Sequence, residues 1–82
     1  MEQQLLTAEQ LVARTMYLLS RAATVGVCPG RVRALIRHLE CVASDTTLDP
    51  AIRQTSEGLI GDWQAAQIEQ FGEAELAQPV RH

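Results

Sequence analysis

The sequence has no lysine: all seven basic side chains are arginine. It has little aromatic surface, only Tyr17, Trp63 and Phe71, so any core must be aliphatic, built from Leu, Ile, Val and Ala. Two cysteines, Cys28 and Cys41, are too few for a disulfide scaffold. The opening Met1-Glu2-Gln3-Gln4 lacks the positive and apolar regions of a secretory signal. Arg14, Arg21, Arg33 and Arg37 interrupt the long apolar stretches, which leaves no run of about 18 apolar residues to span a membrane. Together these absences predict a cytoplasmic protein with reduced thiols and no membrane association.

What is present suffices for one small domain over residues 1–82, with 46% hydrophobic residues and a net charge of −3. That balance excludes a disordered or collagen-like chain. The small size argues against an enzyme with a large substrate cleft. The charge is divided along the chain. Residues 1–38 carry five arginines against Glu2 and Glu9, and residues 39–82 carry Arg53 and Arg81 against eight acids.

Helical signals follow one another. Thr7-Ala8-Glu9-Gln10 fits a capping box, in which the Thr hydroxyl accepts a backbone N–H and the Gln side chain reaches back. A first helix is expected over about 8–25, with Leu11, Thr15, Leu18, Ala22 and Val25 on one stripe. Gly26 suits the left-handed position that ends it, and Pro29 suits the first turn of a second helix over 29–43. Val32, Leu35, Ile36, Leu39, Val42 and Ala43 give that helix an apolar face. Asp49-Pro50 opens a third over 50–71, whose expected core residues are Ile52, Leu59, Ile60, Trp63 and Ala66. Gly58 and Gly61 predict a kink, a break into a fourth helix, or the close approach of another backbone. Residues 72–82 read as a frayed tail. Alternating strand patterns and hairpin turns are absent. The fold class is therefore an all-α up-down bundle of three helices, or four if the third breaks.

No constellation of catalytic residues emerges, and no cofactor or metal is implied. His38 and Cys41 share a helical face, but a structural zinc site needs four ligands. Cys28 and Cys41 are expected to be largely buried and His38 partly exposed. Gly58-Leu59-Ile60-Gly61 has the spacing of the GXXG loop that clamps phosphates in KH domains, yet its middle pair is apolar and no strands flank it. Arg14, Arg21, Arg31, Arg33 and Arg37 around a tight turn suggest a nucleic-acid-binding regulator as the alternative function. Against it stand an acidic chain and few Asn, Gln, Ser or Thr side chains near the turn to read base edges.

The remaining signal is apolar surplus. Met16, Tyr17, Ile68, Phe71 and Leu76 lie beyond the stripes that one small core requires. Surplus apolar surface marks interfaces. The expected function is a non-catalytic protein-interaction module, a regulator or adaptor pairing as a homodimer and binding a protein partner.

Overall fold

The computed structural model describes residues 6–72. They form three helices: α1 (Ala8–Thr24), α2 (Pro29–Ser44) and α3 (Pro50–Phe71). No strand occurs among the described residues. Leu76 and the rest of the expected tail beyond Gly72 lie outside this range.

Local chemistry sets the ends of the helices. At α1 both halves of the capping box form: Thr7 Oγ1 accepts from the Gln10 N–H at 3.1 Å, and Gln10 Oε1 accepts from the Thr7 N–H at 3.0 Å. These bonds satisfy amides that have no partner within the helix. At the other end Gly26 adopts φ +114°, a backbone region that side chains with a Cβ rarely enter. Its carbonyl accepts from Arg31 Nη1 at 2.7 Å, which ties the loop to α2. Pro29 and Pro50 each open a helix, and Asp49 Oδ1 caps α3 by accepting from the Ala51 N–H at 2.8 Å.

The loop between α2 and α3 is closed by Asp45. Its carboxylate accepts from the Thr47 hydroxyl at 2.5 Å and from the Thr47 N–H at 3.0 Å. The hydroxyl bond first, then the amide, holds the Asp45 carboxyl below its ordinary pKa, aided by the charge of Arg53. A depressed pKa means that the charged form favours the folded turn. That contribution is complete above the ordinary carboxylate pKa and is lost as pH falls through the lower folded value. An NMR titration should place the Asp45 midpoint below the ordinary aspartate value, and Thr47→Ala should return it towards that value. An Asp45 midpoint that Thr47→Ala leaves unmoved would contradict this origin.

The core is a seam on α2. Val32, Leu35, Leu39 and Val42 are 0–2% exposed and Ile36 is 9% exposed, and these five are the only buried apolar side chains among the described residues. Contacts between helices run almost wholly through α2, which packs against both α1 and α3. The outer helices contribute half-buried apolar groups and three buried polar residues: Thr15, Ser56 and Gln67. Thr15 can be buried because its hydroxyl donates to the Leu11 carbonyl at 2.8 Å within the same helix.

Several expectations are corrected. α3 is one continuous helix, so no fourth helix forms at Gly58 and Gly61. Both glycines are exposed, and among the described residues a Cβ on either would meet no atom within 4 Å, so no other described backbone approaches them. Two propensity costs are not enough to break a helix of 22 residues that is capped and packed on one side. Ile52 and Val25, expected in the core, are 38% and 56% exposed. The α3 seam instead runs Ser56, Ile60, Trp63, Gln67, in steps of four, three and four. Cys28 and Cys41 are exposed rather than buried. Cys28 sits in the loop as the residue before Pro29, and Cys41 lies on a face of α2 turned away from the Val32–Leu39 line.

Candidate protein-interaction surface

Among the described residues the most exposed large apolar side chains come from α1 and its two ends. Met16 is 63% exposed, Tyr17 60%, Val25 56% and Leu6 43%. Tyr17 lies half a helical turn from the buried Thr15, on the outer side of α1. The Arg21 guanidinium carbon stands 5.9 Å from the Tyr17 ring centroid, a distance at which cation and ring attract. That contact holds Arg21 beside an otherwise open ring.

A shallow groove of about 650 Å³ runs between this side of α1 and α2, lined by Gln10, Arg14, Tyr17, Leu18, Ala34 and His38 among others. His38 Nδ1 lies 2.8 Å from the Ala34 carbonyl. A carbonyl only accepts, so Nδ1 carries the proton and Nε2 is the ring's accepting nitrogen when neutral. Apolar walls with a basic edge suit the side of an amphipathic helix better than a reacting small molecule. No group of three or more His, Cys, Asp or Glu among the described residues could hold a metal ion.

On α3, Ile68 is 41% exposed, on the flank of the helix beside the Ser56–Gln67 line. Phe71 is half-buried. The expected interface residues are therefore not one patch: Met16 and Tyr17 belong to α1, Ile68 to the flank of α3, and Phe71 is partly spent on the fold. Sequence periodicity groups residues along one helix but does not show which faces the neighbouring helix leaves open.

The arginines are also divided. Arg14 lines the α1–α2 groove, whereas Arg33 and Arg37 line a second one between α2 and α3 together with Glu40, Gln64 and Gln67. Arg31 is half-buried and holds the Gly26 carbonyl, a structural use that only the loop geometry reveals. No helix among the described residues is long and apolar enough to cross a membrane. Compared with known protein families, characterised proteins and solved structures, the chain matches none.

Proposed function

We infer that this chain is a non-catalytic interaction module, a small regulator or adaptor whose three helices act through their outer surfaces and pair as a homodimer. The observation that carries the reading is the mismatch between a thin core and a rich surface. Among the described residues five apolar side chains are buried, all on α2, while six large apolar side chains are at least 38% exposed. A domain of this size gains stability by covering such surface with a second copy. Specific pairs bury about 800 Å² on each partner, an area that the outer sides of two helices can supply. Exposed Cys28 and Cys41 suit a reducing, cytoplasmic compartment.

Sedimentation equilibrium at tens of micromolar is expected to give twice the chain mass. Tyr17→Ala and Ile68→Ala, both on exposed positions, should each weaken the pair by about tenfold with helical content unchanged. A single-chain mass throughout that range would overturn the homodimer.

A further inference from the structure

The two outer helices carry faces that differ in both charge and size. On α1, Arg14 and Arg21 are exposed and one heptad apart, with Tyr17 between them on the same side. On α3, Asp62 and Glu69 are also exposed and one heptad apart. Each pair is separated by about 10.5 Å along its helix axis. Between Asp62 and Glu69 the outer side of α3 is low, with the small Ala65 exposed, and the low surface continues before Asp62 at exposed Gly58 and Gly61, where a Cβ would meet nothing within 4 Å. Ile68 borders the same strip. Glu57 lies on the same flank as Ile68, about three helical turns before it, and α3's single arginine, Arg53, is half-buried rather than on this face.

A tyrosine flanked by two arginines, Arg14-Tyr17-Arg21, thus matches a small residue flanked by two acids at the same spacing, Asp62-Ala65-Glu69. We propose that α3 of a second copy lies along α1, over the α1–α2 groove, with Asp62 and Glu69 against Arg14 and Arg21 and with Tyr17 over Ala65. The proposal rests on the homodimer reading above and specifies which faces meet. In a two-fold pair the contact is made twice, because α1 of each copy meets α3 of the other. Pairing α3 with α3 instead would set Asp62 and Glu69 against their own copies, which like-charge repulsion disfavours. Charge complementarity therefore fixes the occupant of each face.

Charge reversal with complementation tests this. Arg14→Glu/Arg21→Glu and Asp62→Arg/Glu69→Arg should each weaken self-association by about tenfold or more. An equimolar mixture of the two variants should regain a pair close to wild-type affinity, because one contact then keeps its native signs and the other is restored with its signs exchanged. Asp62→Asn/Glu69→Gln removes the charges without reversing them. It should give a weaker pair whose affinity no longer falls as salt is raised. Circular dichroism checks that each variant keeps its helices. If wild type pairs but every variant pairs equally well, or if the mixture regains nothing, this arrangement is wrong while the homodimer stands. If wild type stays monomeric, the homodimer reading falls and this arrangement falls with it.

Discussion

Leu35→Ala is expected to destabilise the fold by about 3 kcal/mol, within the roughly 2–5 kcal/mol that such truncations cost in a packed core. Leu35 is 0% exposed and lies mid-way along α2, the helix through which almost all contacts between helices run. The loss combines the transfer energy of the removed atoms with the cavity that remains. A chain of 82 residues has a total stability of only about 4–12 kcal/mol, at roughly 0.05–0.15 kcal/mol per residue. One truncation would therefore remove a quarter or more of it, and the melting temperature should fall by roughly 12–24 °C. Ile68→Ala serves as the comparison. It is 41% exposed, and in dilute protein it should change stability by no more than about 0.5 kcal/mol. Similar losses at the two positions, read by thermal melts followed by circular dichroism, would contradict a core confined to the α2 seam.

The double substitution Gly58→Ala/Gly61→Ala is expected to stabilise α3 by about 2 kcal/mol, near 1 kcal/mol for each site. Both glycines lie inside a continuous helix, neither has a positive φ, and neither has a neighbour that a methyl group would strike. Alanine adds no side-chain entropy cost, and it removes backbone freedom from the unfolded chain. The melting temperature should rise by roughly 8–16 °C in dilute protein. Gly26→Ala is the opposite case. That residue sits at φ +114°, where a Cβ is strained, and the substitution should destabilise. If Gly58→Ala/Gly61→Ala lowered the melting temperature instead, α3 could not be the open, continuous helix described above.

The helix ends were legible because their chemistry is local. Thr7 with Gln10, Gly26, Pro29 and the Asp49-Pro50 pair each act within a few residues, so the expected boundaries match to about one residue. The α2 core was legible for a different reason. Val32, Leu35, Ile36, Leu39 and Val42 form one narrow stripe, and no other orientation of α2 could bury them together. α3 resisted the same treatment. Its apolar residues spread from Leu59 round to Ile68, so periodicity alone does not choose a buried side. Packing against α2 chose the line containing Ser56 and Gln67, at the expense of Ile52. The glycines misled because an exposed Gly-x-x-Gly and one that receives another backbone read identically in sequence. The exposure of the candidate interface residues was half legible. Tyr17 and Met16 are as exposed as expected, but Phe71 is held partly within the fold.

The central claim is that a second copy covers what the α2 seam leaves exposed. Thermal unfolding as a function of protein concentration tests it most directly, because only an assembling fold gains stability by mass action. Between about 1 and about 100 µM, a fully paired chain gains about 2.7 kcal/mol per dimer. For two copies of 82 residues, that corresponds to a melting temperature higher by roughly 8 °C. A rise of that size is the expected result. A melting temperature that stays constant over the same hundredfold range would contradict the claim.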